Sequence, residues 1–190
     1  MGVYLVSVDA QDWRGDHEGG YGEIASGLDE ELSRRGLPPY PSVPRESRAL
    51  EFGEKLSPSM DGFVELCRAH LTRDEEETLC GWSVLVPVSL DEEIPLPVGS
   101  AYTDTTVVAG APQVLALAQR LASAIGLPPM LPVMSGNLSL TSWFLDGSAK
   151  ETVAARPGPW GQDLDASFYV ALYLRAAQHS LRRGCPIVYS

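Results

Sequence analysis

Apolar residues near the N-terminus follow two different periods. Residues 3–8 form an apolar run rich in β-branched side chains, which is typical of a buried strand. Three apolar residues then recur every four positions and predict an amphipathic helix over residues 23–35: they are Ile24, Leu28 and Leu32. Gly36 and Pro38 follow in the order that usually ends a helix. The chain is therefore expected to begin with a strand and a helix.

The middle of the chain combines a loop, a helix and a predicted hairpin. Residues 37–54 carry prolines and charges without a period, which indicates a loop. Ser57 and Pro58 are the N-cap and first residue of a predicted helix, whose inner face holds Phe63, Val64, Cys67 and Leu71. Alternating valines predict a strand over 82–90, and a second strand over 98–108 is expected to pair with it as a hairpin.

The second half of the chain is mainly helical by the same criteria. Pro112 opens an amphipathic helix to residue 125, and a weaker helix is predicted over 143–155. The longest helix, 164–183, is apolar nearly all round, so we expect it to be central and buried. Short strands are predicted at 137–140 and at 187–189, the latter at an edge of the sheet.

This order of elements indicates the fold class. Strands and helices do not alternate regularly, as they do in a doubly wound parallel sheet. The pattern instead predicts an α+β fold with a mixed, mostly antiparallel sheet and helices packed against it. A chain of 190 residues suits a single domain, so we assign residues 1–190 to one domain.

Charge divides the chain into two unequal halves. The net charge is −11; residues 1–93 hold 20 acidic and 8 basic residues, and residues 94–190 hold 5 and 6. The acidic half therefore carries −12 and the other half is near neutral at +1. Nucleic acids and anionic membranes attract clustered Lys and Arg, so neither is an expected partner. This charge suits a basic protein partner, or serves solubility alone.

The expected setting is the cytoplasm. No apolar run approaches the roughly 18 residues of a membrane span, and residues 1–4 do not resemble a signal peptide. The three cysteines, Cys67, Cys80 and Cys185, have no disulfide-like spacing.

The sequence resembles uncharacterised actinobacterial proteins. The resemblance lies in its composition, with rare lysine and frequent arginine, and in the segments 54–63 and 182–186. That resemblance implies a cytoplasmic setting and no particular activity.

The first candidate site is the acidic loop that follows the first predicted strand. Its residues are Asp9, Asp12, Trp13, Asp16, His17, Glu18 and Tyr21. Its carboxylates are hard oxygen ligands and could hold Mg²⁺ or Ca²⁺ if acids such as Asp91, Glu92 or Asp104 converged on the loop. Their spacing does not match a calcium-binding loop, so a solvated acidic loop is the simpler interpretation.

Other patterns do not define a reaction. Gly19, Gly20 and Gly22 precede a helix but do not form a phosphate-binding motif. Cys67 and His70 share a helix face without a second pair of ligands, so we predict neither zinc nor another cofactor. No serine motif of a hydrolase is present, and no catalytic residue is assigned.

Two functions follow from these observations. The first is a non-catalytic acidic module that binds a basic protein, of the kind found among immunity and inhibitor proteins. Aromatic residues in or beside loops suit such an interface, and they equally suit anchors that pack the loops onto the core: Trp13, Tyr21, Tyr40, Trp82, Tyr102 and Trp160. The alternative is a metal-assisted hydrolase or small-ligand enzyme that uses the loop from Asp9 to Glu18. A pocket of converging carboxylates would favour the enzyme.

Overall fold

Six strands form one sheet in the computed structural model, which describes residues 2–17, 19–40, 51–100, 102–131 and 136–190. They are β1 (Tyr4–Ser7), β2 (Gly53–Lys55), β3 (Val84–Val86), β4 (Ile94–Leu96), β5 (Thr106–Gly110) and β6 (Ile187–Tyr189). Their order across the sheet is β2-β1-β6-β3-β5-β4. The pair β3 and β5 is parallel, and the other neighbouring pairs are antiparallel. The predicted α+β class with a mixed, mostly antiparallel sheet is confirmed.

Helices cover both faces of this sheet. In the described residues they are α1 (Ala10–Arg14), α2 (Gly22–Arg34), α3 (Asp61–His70), α4 (Arg73–Cys80), α5 (Ala111–Ile125), α6 (Ser139–Leu145), α7 (Ser148–Ala155) and α8 (Leu164–Arg183). Side chains of α1 and α2 pack on one face together with Val84, Val86 and Val108. The other helices pack on the opposite face, to which Leu85 and Ile187 point. The period of two along each strand thus separates two apolar cores.

Helix α8 lies at the centre of the larger core, as its apolar sequence predicts. It packs against α5 and α3, and Phe168, Val170 and Leu172 have no exposed surface. The Asp163 carboxylate accepts a hydrogen bond from the Ala166 backbone N–H at 2.9 Å and caps the start of the helix. Gly184, with a φ of 64°, ends the helix in a left-handed conformation that glycine adopts without strain.

The predicted hairpin between the two middle strands is wrong. β3 and β5 are parallel, and the antiparallel partner of β5 is β4, which contains Ile94 and Leu96. Neighbouring strands lie about 4.8 Å apart, so β4 lies two such spacings from β3. The connection 87–93 is long enough to pass the end of β5 and reach the edge of the sheet. β6 is also not at an edge, because it lies between β1 and β3.

Several local predictions also need correction. The end of the predicted loop 37–54 enters β2, and residues 41–50 lie outside the described residues. The predicted strand at 137–140 is the start of α6. The single helix predicted over 143–155 is divided into α6 and α7 because Gly147 has a φ of 103°, which a right-handed helix cannot contain.

Candidate functional site

The segment predicted as an acidic loop contains the short helix α1. Asp9 is its N-cap, and the Asp9 carboxylate accepts a hydrogen bond from the Asp12 backbone N–H at 2.8 Å. The Asp12 carboxylate lies 3.4 Å from the His17 ring nitrogen Nε2. Glu18 lies outside the described residues. Asp9 and Asp12 therefore have local partners within this segment.

The aromatic residues of this segment anchor α1 and α2 to the core. Trp13 is 0% exposed, and its ring lies 6.4 Å from that of Tyr21 and 5.8 Å from that of Tyr40. Burial, together with the nearby Asp12 carboxylate, raises the pKa of Tyr21. Of the aromatic residues expected at an interface, Tyr102 is 56% exposed, whereas four are buried: Trp13, Tyr40, Trp82 and Trp160.

The residues considered for metal binding are dispersed, and the thiols of Cys80 and Cys185 are protonated at neutral pH. In the part of the chain that the structure describes, no three His, Cys, Asp or Glu side chains form a group that could hold a metal ion. Cys67 is buried in the core and His70 is exposed at the end of α3. Interaction with the Cys67 thiol, and then burial, raise the pKa of Cys80, and burial raises the pKa of Cys185 to about 11. Both thiols are therefore poor nucleophiles at neutral pH.

The described residues form a groove between α2 and β4. Its volume is about 610 Å³, and we call it the α2–β4 groove. Its apolar side is Pro95, Leu96, Pro97 and Val98 from β4 and the residues after it. Its acidic side is Asp16, Glu23, Glu30 and Glu31, with Arg34 among them. Among the described residues of the predicted loop, Asp16 lines this groove and the others do not.

The charge of the α2–β4 groove is negative after its internal ion pair is counted. Glu31 binds Arg34 at 2.6 Å and Arg35 at 2.8 Å, and these two hydrogen bonds lower the pKa of Glu31 to about 2. Within the described ranges, Asp16, Glu23 and Glu30 form no ion pair. Three carboxylates thus remain available to a cation.

Gly27 keeps the floor of the α2–β4 groove open. It lies in the middle of α2, where glycine costs roughly 0.5–1 kcal/mol relative to alanine. A β-carbon at this position would be 3.5 Å from Leu96 Cδ2, which is ordinary van der Waals contact. Alanine would therefore fit and would favour the helix, but it would narrow the groove.

Both edges of the sheet are closed to an added strand. At β2, the Leu138 N–H donates to the Gly53 carbonyl at 2.6 Å, and Thr141 Oγ1 accepts from the Lys55 N–H at 3.0 Å. At β4, Pro95 has no N–H, so a partner strand would find no donor there. The α2–β4 groove therefore presents side chains, and not a free strand edge, to its surroundings.

The groove residues on α2 were not assigned a function from the sequence. Glu23, Gly27 and Glu30 follow the spacing i, i+4, i+7, which places them on one helix face. This spacing was the available signal. Nothing in the sequence indicates that β4 lies beside that face.

The described structure is an α+β protein with an acidic groove at one edge of its sheet. No protein-family model matches the chain, and neither the curated proteins nor the solved structures include a significant match. None of the described helices is long and apolar enough to cross a membrane.

Proposed function

We propose that the protein is a non-catalytic binding module that recognises a basic partner protein through the α2–β4 groove. The observation that carries this proposal is that the acidic side of the groove holds three carboxylates without ion pairs next to its apolar side; they are Asp16, Glu23 and Glu30. The partner expected for such a groove presents arginine or lysine side chains.

Both parts of a long basic side chain match the groove. The aliphatic stem of arginine or lysine packs on apolar surface such as Leu96 and Pro97, while its charged end remains near solvent. Glu23 and Glu30 then accept hydrogen bonds from the charged end, and charge-assisted hydrogen bonds are the stronger kind. The net charge of −11 would also accelerate the approach of a basic partner.

The proposed class is an immunity- or inhibitor-type protein that acts in the cytoplasm. Such proteins capture a basic target by complementary charge, and this chain combines strong acidity with an open acidic groove. Its three cysteines are free thiols, which suits a reducing compartment.

A binding assay with a labelled nona-arginine peptide tests the groove. The variant Glu23→Gln with Glu30→Gln removes two groove charges, and Glu65→Gln with Glu151→Gln removes two exposed charges from α3 and α7. The groove variant is expected to bind the peptide about tenfold more weakly than the wild type, because each glutamine still accepts a hydrogen bond but no longer carries a charge, and a combined loss of about 1.4 kcal/mol corresponds to tenfold. The control variant should differ from the wild type by less than about twofold, because screening limits distant charges to about 8 Å at physiological salt.

Equal weakening in both variants would mean that peptide binding depends only on net charge, which would contradict the proposal.

Affinity capture from cells that encode the protein extends the test to its partner. The same three proteins serve as baits, and a basic protein retained by the wild type and the control but lost by the groove variant supports the proposal. Identical captured proteins for all three baits would refute it.

A further inference from the structure

Basic side chains gather on the C-terminal half of α8. Arg175, His179 and Arg182 follow the spacing i, i+4, i+7, which places them on one face of the helix; we call them the α8 basic cluster. Their Cα atoms span about 10.5 Å along the helix axis, at a rise of 1.5 Å per residue. The cluster is therefore compact enough for one small ligand to reach both arginines.

Carboxylates do not neutralise this cluster within the described ranges. Arg175, Arg182 and the neighbouring Arg183 form no ion pair there, although the whole chain carries a net charge of −11. The cations act on one another instead: burial, and then Arg182, lower the pKa of Arg175. Burial, and then Arg182 and Arg183, lower the pKa of His179 to about 4. An anion beside the cluster would relieve this repulsion.

The Arg175 guanidinium uses little of its capacity for hydrogen bonds. Its Nη2 donates to the Leu131 carbonyl at 3.3 Å, and its Nε is buried without a partner among the described residues. A guanidinium has five N–H donors, so this one contact leaves most of them unpaired. The helix dipole favours cations in the last turn, which accounts for Arg182 and Arg183 but not for Arg175, two turns before the end of α8. An oxyanion would supply the acceptors that Arg175 lacks.

We propose that the α8 basic cluster binds a small oxyanion with two negative charges, of the kind that a phosphate group presents. Arg175 and Arg182 donate hydrogen bonds to its oxygens, because a planar guanidinium matches the geometry of phosphate. A small anion fits better than a long polyanion, because the cluster covers two turns of one helix on a protein whose net charge is −11. This site is independent of the α2–β4 groove, since α8 and α2 pack on opposite faces of the sheet.

Titration with inorganic phosphate, followed by NMR of the histidine rings at constant pH, tests the site. The chain has three histidines, and His17 and His70 are internal controls because they lie outside α8. Phosphate should shift the ring signals of His179 in a saturable way, with a Kd of about 10 mM or lower, and should move the other two much less. Sodium chloride at the same ionic strength should scarcely shift the His179 signals, because screening alone places no anion beside the ring.

A pair of matched variants separates the cluster from the total charge. Arg175→Gln with Arg182→Gln removes two cations from the cluster, and Arg68→Gln with Arg156→Gln removes two exposed cations from other elements. The cluster variant should bind phosphate at least about tenfold more weakly, because glutamine offers no charge-assisted hydrogen bond. The control variant should stay within about twofold of the wild type, because charges are screened beyond about 8 Å at physiological salt.

Equal shifts of the His179 signals with phosphate and with chloride would overturn the proposal, and so would equal weakening in the two double variants. Arg182→Gln alone, at an exposed position, should weaken binding in the same direction and serves if the cluster variant does not fold. Glycerol 2-phosphate distinguishes two sources of the ligand: binding like that of phosphate assigns the site to phosphate monoesters, and no binding assigns it to the free ion. Circular dichroism and the melting temperature verify that each variant is folded.

Discussion

At the scale of single residues, Gly27 illustrates how an open groove can oppose stability. Its position in the middle of α2 has room for a β-carbon, and the nearest atoms would be those of Leu96. A helix former at this position would favour folding, yet it would occupy the α2–β4 groove. Retaining glycine here is consistent with the need for an open groove.

The variant Gly27→Ala is expected to raise the free energy of unfolding by about 0.5–1 kcal/mol, because alanine loses less backbone entropy in a helix. Urea denaturation of the variant and the wild type measures this difference. Gly36→Ala is a useful contrast, because Gly36 has a φ of 69° and alanine there should destabilise the protein. A loss of stability in Gly27→Ala would show that the Leu96 contact is too close.

Glu54 is a buried carboxylate that joins β2 to the start of α6. It is 0% exposed; its Oε1 accepts from the Leu140 N–H at 2.8 Å, and its Oε2 accepts from the Thr141 N–H at 2.8 Å and the Thr141 hydroxyl at 2.7 Å. Both oxygens face donors only. The free N–H groups and the dipole at the N-terminus of α6 compensate the negative charge.

Replacing Glu54 by glutamine tests this role. Glu54→Gln has the same shape, but its NH₂ group must face an N–H donor, so we expect a loss of about 1–3 kcal/mol in the free energy of unfolding. Glu65→Gln, at an exposed position of α3, should change it by less than about 0.5 kcal/mol. Equal stability of the two variants in chemical denaturation would contradict a structural role of the Glu54 carboxylate.

At the scale of elements, α8 determines the larger core. Leu172 is 0% exposed in the middle of this helix. Leu172→Ala is expected to lower the free energy of unfolding by about 2–5 kcal/mol, the range for buried leucine truncations. Leu181→Ala is a matched control on the same helix, since Leu181 is 37% exposed and should lose much less. A change below about 0.5 kcal/mol for Leu172→Ala would show that α8 is peripheral.

At the scale of the whole molecule, stability is expected to decrease on mild acidification. Burial, and then Arg182 and Arg183, lower the pKa of His179 to about 4 from its ordinary value of 6.5, and the centroid of the Phe52 ring lies 5.5 Å from that of the His179 ring. Between these two values the unfolded chain binds a proton that the folded chain does not. The contribution of neutral His179 is therefore complete above pH 6.5 and is progressively lost as the pH falls towards 4.

Comparison of the wild type with His179→Phe isolates this effect. Between about pH 7 and pH 5, the free energy of unfolding of the wild type should fall relative to that of the variant, which has no proton to bind at this position. The pKa of Glu31 is lowered to about 2, so its carboxylate loses its stabilising contribution only as the pH falls below 4.5, the ordinary pKa of glutamate. Parallel pH dependence of the two proteins would refute the assignment to His179.

Elements with local signals were predictable from the sequence alone. β1, α2, α5 and α8 follow from the period of their apolar residues, and Asp163 and Gly184 mark the ends of α8 through capping. These features involve residues close along the chain. Period and capping therefore predicted the elements, and their order predicted the α+β class.

The identity of neighbouring strands and the position of the α2–β4 groove depend on tertiary contacts. The parallel pairing of β3 with β5 depends on a chain crossing that no local pattern records. The burial of Glu54 depends on the docking of α6 against β2, and the α2–β4 groove depends on Leu96 lying beside Gly27. Each of these contacts joins residues far apart in sequence, and the local period of a helix or strand specifies which face is apolar but not which element packs against it.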